Sequence, residues 1–249
     1  MPNHSLPTLE DVAREAQVST ATVSRSLNSP QRVAEKTLLR VQAAVDMLGY
    51  SPNFGARALA ARRTNTIGAV IPTFENAIFA QGLQSFEETI SKCNLTLLVA
   101  SSSYQQEREE EQIRALVARG ADAILLIGEE RSKEIYDFLA KRNIPYVISW
   151  FYRPDSNHCL VGFDNRAAAC ELTRKVLGLG HRKISMIAGL TANNDRARSR
   201  LLGVKDALVE YDIPHRNFDV VEVPYSFRDG GDALEILISK PDRPTAIIC

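Results

Sequence analysis

Two periodicities divide the chain. From residue 66 onward, short apolar runs recur: TIGAVIP, LTLLVA, ADAILLIG, PYVISW, CLVGFD, ISMIAG, DVVEVP and TAIIC. Each has the length and β-branched content of a buried strand. Most are separated by amphipathic segments, at 104–119, 132–142, 165–178, 195–210 and 228–240. That alternation predicts βαβ units and parallel sheets. Before residue 50 the period is helical instead. Leu9, Val12, Ala13 and Ala16 fall on one face, Val23 and Leu27 on a second, and Val33, Leu38, Val41, Ala44 and Leu48 on a third.

The helix boundaries are readable as well. Thr8 followed by Asp11 fits a capping box, with Asp where Glu is more usual. Ser19 can cap the second helix, and Gly49 supplies the stop of a third helix running from about Ala34 to Leu48. Three short helices sharing one small core predict a helix-turn-helix domain over 1–50. Residues 51–64 read as a linker with one marginal helix after Pro52 and Asn53, too short to be stable alone. The expected fold is therefore a small all-α head on an α/β core. The chain stops on the strand-like TAIIC with no polar tail, so the expectation is a C-terminally truncated sequence.

Composition changes this picture little. The 249 residues carry no net charge, but residues 1–63 hold eight basic and five acidic side chains, so the head is mildly basic and the body acidic. A basic head is suited to polyanions. No apolar run is long enough to span a bilayer, and the N-terminus lacks a secretory pattern, so a cytoplasmic location without membrane contact is expected. The four cysteines show neither pairing nor metal-ligand spacing.

In a helix-turn-helix the second helix presents its N-terminal residues to base edges in the DNA major groove. Those residues are Thr20, Ala21, Thr22, Ser24 and Arg25. The threonines can hydrogen-bond or touch a thymine methyl, and Arg25 can fork onto guanine. Thr8, Ser19, Asn28, Arg32 and Lys36 are placed to hold phosphates, with Leu9 beside them. The sequence TLEDVAREAQVSTATVSRSLN, followed by VAEKTLLRVQAAVDMLGYSPNFGARALA, closely resembles the DNA-binding head of the lac repressor and galactose repressor family. The resemblance implies that the helix after Tyr-x-Pro-Asn is a hinge ordered by operator DNA. Its leucine, matched by Leu59, would wedge into the minor groove, with Asn53, Ala56 and Arg57 alongside. Ala34 departs from the family, which often has Ser as the cap there.

The body also resembles the family's effector-binding core, similar to periplasmic sugar-binding proteins: two lobes, 65–160 and 161–249, around a cleft. IGAVIPTFENAIFAQGLQSFEE matches the first strand, loop and helix, VGFDN the crossing between lobes, and RSRLLGV carries the Arg-x-x-Gly. By that match Arg200 reaches the ligand. Asn76, Ile78 and Phe79 lie on the first-lobe side, Asp164 on the second, and Tyr225 at a site of ring stacking. Trp150 stands where many members have aspartate. An acid lost and an aromatic gained fits a sugar acid or an unusual small ligand, and VGFDN with the first-lobe pattern most resembles the gluconate-repressor branch of the family. The second lobe would be incomplete, because the family continues past this sequence.

Catalysis finds no support. LGLGH follows a helix and precedes a strand, the reverse of a dinucleotide turn, so it reads as a helix stop. EREEEQ at 107–112 reads as a solvated helix face, and no nucleophile triad, cofactor motif or metal constellation is present. The expected function is a dimeric regulator, a repressor that binds double-stranded operator DNA under control of a sugar or sugar acid. A periplasmic-type solute-binding protein would share the body but lack the head.

Overall fold

The computed structural model describes residues 6–51, 55, 58, 63–214 and 218–249. It divides into two compact units, Met1–Thr64 and Asn65–Cys249. In the first unit α1 (Leu9–Glu15), α2 (Thr20–Asn28) and α3 (Glu35–Leu48) surround a core of Val12, Ala13, Ala16, Val23, Val41 and Ala44. Each boundary has a local cause. The Thr8 hydroxyl accepts from the Asp11 amide at 3.3 Å, while the Asp11 carboxylate takes the Thr8 amide at 2.9 Å. The hydrogen bonds from Thr8 hold the Asp11 carboxyl below its ordinary value. Ser19 caps α2 through the Thr22 amide at 3.2 Å. Gly49 ends α3 in the left-handed region at φ +62°, where a side chain is strained. Ala34 occupies the N-cap of α3 without a side-chain hydrogen bond.

The second unit contains two all-parallel sheets among the described residues. The first runs β2-β1-β3-β4-β5, from strands Thr66–Ile71 (β1), Thr96–Ser101 (β2), Ala123–Ile127 (β3), Tyr146–Ser149 (β4) and Leu160–Val161 (β5). CLVGFD thus yields only a two-residue strand, which crosses the expected lobe boundary at 160/161 and pairs with β4 in the first sheet. Helices α4 (Ala77–Ser91), α5 (Gln106–Ala118) and α6 (Lys133–Lys141) belong to it. Its core joins Val70, Ile113, Ile124, Leu126, Leu139 and Ile148.

The second sheet runs β7-β6-β8, from Ile184–Gly189 (β6), Asp219–Val223 (β7) and Ala246–Ile248 (β8). It carries α7 (Asn165–Gly178), α8 (Asp195–Glu210) and α9 (Phe227–Ile238). Leu177, Ile184, Met186, Val204 and Leu208 fill its core. We call each sheet with its helices a lobe. In both lobes the loops after the strands gather at the carboxyl edge of a parallel sheet, where such folds form their ligand crevices.

Candidate functional site

The first unit offers one polar helix end. Burial of Val23 and Ser26 turns Thr20, Ala21, Arg25 and Asn28 outward on α2. Thr22 and Ser24 are half-buried and already engaged. The Thr22 hydroxyl lies 2.9 Å from that of Ser19, and the Asn28 amide donates to the Ser24 carbonyl at 2.9 Å. Thr20, Ala21 and Arg25 therefore remain exposed on this helix end, with no side-chain hydrogen bond among the described residues. Arg32 and Lys36 are exposed, whereas Leu9 packs partly into the head core. The hinge positions Asn53, Ala56, Arg57 and Leu59 lie outside the described residues.

In the second unit a cavity of about 470 Å³ is lined by Asn76, Gly189, Arg200, Val223 and Tyr225, among others. Arg200 is aimed by two neutral partners: it donates to the Asn165 Oδ1 at 2.9 Å and to the Tyr225 hydroxyl at 2.8 Å. Tyr225 lies against Gly189, where a side chain would collide with its ring. Across the cleft Tyr104, in the loop after β2, stacks on Tyr225 with centroids 5.3 Å apart. Burial, and then the facing Tyr225, push the Tyr104 hydroxyl up to about 12, so it stays protonated.

A polar clasp joins the lobes beside that stack. The carboxylate of Asp195, at the start of α8, accepts the backbone N–H groups of Glu129 and, at 3.0 Å, Glu130. Arg198 donates to the Glu130 carboxylate at 2.7 Å. Gly128 makes the approach possible, because a Cβ there would overlap Arg196 and Asp195. The receiving loop is itself anchored. Arg131 bonds Glu109 at 2.7 Å and the Ile127 carbonyl at 3.0 Å, and Glu129 takes Arg153 at 2.6 Å and Ser156 at 2.7 Å.

Burial opposes the Glu129 charge, but the hydrogen bonds from Arg153 and Ser156 outweigh it and hold the carboxyl below its ordinary 4.5. A carboxyl depressed in the fold contributes stability above its unfolded value, and that contribution is lost as pH falls through the folded one. Glu129→Gln is therefore expected to reduce the stability lost on acidification below about pH 4.5. Urea midpoints at neutral and acid pH measure this, and equal acid sensitivity in both proteins would contradict it.

Residues 8–53 match the bacterial regulatory proteins of the lacI family. Residues 64–249 match the periplasmic binding proteins and sugar binding domain of the LacI family. The chain belongs to the lacI family. It is 30% identical over 240 residues to catabolite control protein A of Priestia megaterium, covering 96% of this chain and 72% of that protein. It is 31% identical over 248 residues to the ribose operon repressor of Haemophilus influenzae, covering 98% and 73%. A solved LacI-family transcriptional regulator from Silicibacter pomeroyi superposes with a TM-score of 0.86 at 26% identity, covering 97% of this chain and 72% of that one. The protein is accordingly a DNA-binding transcriptional regulator with a small-molecule effector core. Among the described residues no helix is long and apolar enough to cross a membrane.

The lacI-family core brings Asn76, Arg200 and Tyr225 to one cavity, but not all the residues named with them. Phe79 is placed elsewhere. It is three positions into α4 from the Asn76 cap and faces inward, packed with Ile71, Ile127 and Leu83. Trp150 is displaced for a related reason. At φ +59° the backbone after β4 turns its ring onto Gly82 and edge-on to Phe79, at 5.5 Å. It does not line the Arg200 cavity, so it carries no argument for a sugar acid. Ile78 is exposed, and Asp164 caps α7 through the amides of Arg166 and Ala167 at 2.9 and 3.0 Å. EREEEQ is not wholly a solvated face either, since Glu109 pairs with the buried Arg131. The clasp residues Asp195, Arg196 and Arg198, with Tyr104 and Asn165, went unnoticed in the sequence. The one usable signal was Asn194 as an N-cap, which places Asp195 and Arg196 at a helix start.

Proposed function

We propose that this lacI-family chain is a cytoplasmic, non-enzymatic, dimeric repressor that releases or grips its operator according to a sugar-like effector. The observation that carries the DNA-reading part is α2, whose capped N-terminal end presents Thr20, Ala21 and Arg25 outward while Val23 and Ser26 are buried. In a dimer two such helices enter major grooves of a two-fold site, with Thr8, Ser19, Asn28, Arg32 and Lys36 on phosphates. Hinge residues Asn53, Ala56 and Arg57 order on the DNA, and Leu59 wedges the central minor-groove step. The effector sits between the lobes on Asn76, Arg200 and Tyr225 and shifts the clasp between arrangements. A coupling of about 1–3 kcal/mol gives roughly 5–150-fold regulation.

Selection of duplexes from a random pool at two salt concentrations tests this. A two-fold consensus with a flexible central step is expected. Sequence-blind binding that simply weakens with salt would overturn the major-groove reading. Arg25→Ala is expected to cost about 1–3 kcal/mol on the selected site and to relax preference at one base pair. An equal loss on every sequence would make Arg25 a phosphate contact.

A further inference from the structure

Beside the Arg200 cavity, the carboxyl edge of the first sheet meets the start of α8 around a second, smaller chamber of about 20 Å³. Ser102, Tyr104, Glu109, Glu130, Asp195 and Arg196 are among its lining. The three carboxylates are already engaged. Glu109 holds Arg131 at 2.7 Å, Glu130 holds Arg198 at 2.7 Å, and Asp195 takes two backbone N–H groups and the Arg196 Nη1 at 3.1 Å. The donors are not so engaged. Arg196 is 8% exposed, yet its Nε and Nη2 have no acceptor among the described residues. Ser102 is 5% exposed, and neither its hydroxyl nor that of Tyr104 has a partner among the described residues. These donors are unengaged within the protein and face the chamber, so together they suit a guest rich in acceptors.

Charge points the same way. Arg200 lies one turn beyond Arg196 on α8, which places the two on one face. Its partners, Asn165 and Tyr225, are both neutral, so its charge is uncompensated by any ion pair among the described residues. Burial, opposed by the Asp195 charge, makes the Arg196 guanidinium harder to keep charged, a penalty that an anion would relieve. Glu75, at the mouth of the larger cavity, is exposed and solvated, so its charge is screened.

We propose that this chamber is a carboxylate subsite. It has room for about one water-sized group, and so takes one carboxylate oxygen of the effector's acidic end on the free edge of Arg196 and the hydroxyls of Ser102 and Tyr104, while Arg200 and Tyr225 hold hydroxyl groups of the remainder. The effector class is then a polyhydroxy monocarboxylate rather than a neutral sugar. This rests on the cleft being the effector site, as proposed above. Arg196 acts as the specificity-determining residue, because a neutral hexose leaves its free donors unmatched.

Calorimetric titration of the full chain with D-gluconate, D-galactonate, D-glucose, D-galactose and D-glucose 6-phosphate tests the assignment. At least one hexonate is expected to bind more tightly than its parent hexose by roughly tenfold to a hundredfold, the range of a hydrogen bond to a charged group. Arg196→Met is expected to remove that advantage, so that hexonate and parent hexose bind alike. Ser102→Ala, which disturbs no ion pair, should lower hexonate affinity several-fold with an unaltered circular dichroism spectrum. The proposal is overturned if hexoses bind as well as the acids, if the phosphate is preferred, or if Arg196→Met and Ser102→Ala weaken both classes alike. Hexose binding that is lost in Arg200→Ala, without hexonate preference, would leave the cleft standing and the subsite refuted. Binding by none of the five would refute both.

Discussion

Replacing Glu109 by alanine is expected to destabilise the second unit by about 3–5 kcal/mol, the cost of leaving a buried charge unpaired. The charge left behind is Arg131, whose side chain is 1% exposed. Its Nε already lacks a partner, and its other nitrogens rely on Glu109 and the carbonyls of Ile127 and Gly128. An arginine cannot shed its proton to escape. The reverse variant can relax. Burial raises the Glu109 carboxyl above its ordinary value, so in Arg131→Met it can become neutral by taking up a proton. Glu109→Ala should therefore cost more than Arg131→Met. The double variant Glu109→Leu with Arg131→Met should come back close to the parent, because an apolar pair of similar volume replaces a buried ion pair at little cost. Trp150 is the only tryptophan and lies in the second unit, so its fluorescence in a urea titration reports this unfolding directly. A Glu109→Ala midpoint equal to that of the parent would show that Arg131 is solvated, contrary to the structure.

The same residue shows what the sequence could and could not convey. Glu109 lies four positions before Ile113 and seven before Leu116, the two buried residues of α5. It is thus on the inward stripe of its own helix, and the period says so even though the acidic run argues for solvent. Its partner is 22 residues away in a loop, which no local pattern reveals. The head was far more legible. Capping, turn and core positions there are separated by three or four residues, and each obeys a local rule: Thr8 with Asp11, Ser19 with Thr22, Gly49 at the stop. The alternation of strands and helices was legible for the same reason. The cleft was not, since Asp195 meets Glu130 across 65 positions and Arg200 meets Asn165 across 35. Phe79 and Trp150 show the matching limit of resemblance. A matched position tells which loop a residue occupies, while its rotamer and backbone angle decide which side of the sheet it faces.

Gly203→Ala poses a case in which two local effects have opposite signs. In a helix interior alanine is favoured over glycine by about 1 kcal/mol, so propensity alone predicts a more stable protein. Gly203, however, is where α8 lies against α7 with backbone touching backbone. A Cβ there would overlap the Arg166 carbonyl oxygen and stand 3.0 Å from the Cys170 amide nitrogen. Neither atom is the end of a flexible side chain, so the helices must part. Forcing one carbon into a packed contact costs about 1–3 kcal/mol, and here the backbone has to move, which places the expected loss at the upper end. The separation also has a functional consequence. Arg200 is one turn earlier on α8, and the Asn165 that orients it opens α7. Parting the helices lengthens that hydrogen bond and frees the guanidinium proposed above to hold the effector. Gly203→Ala should therefore lower both the urea midpoint read at Trp150 and effector affinity. Gly203→Val should lower both further. Arg200→Ala, by contrast, should lower affinity with little effect on the midpoint. An alanine variant that unfolds at or above the parent's urea concentration would mean that propensity wins and that the helices are not in backbone contact at Gly203.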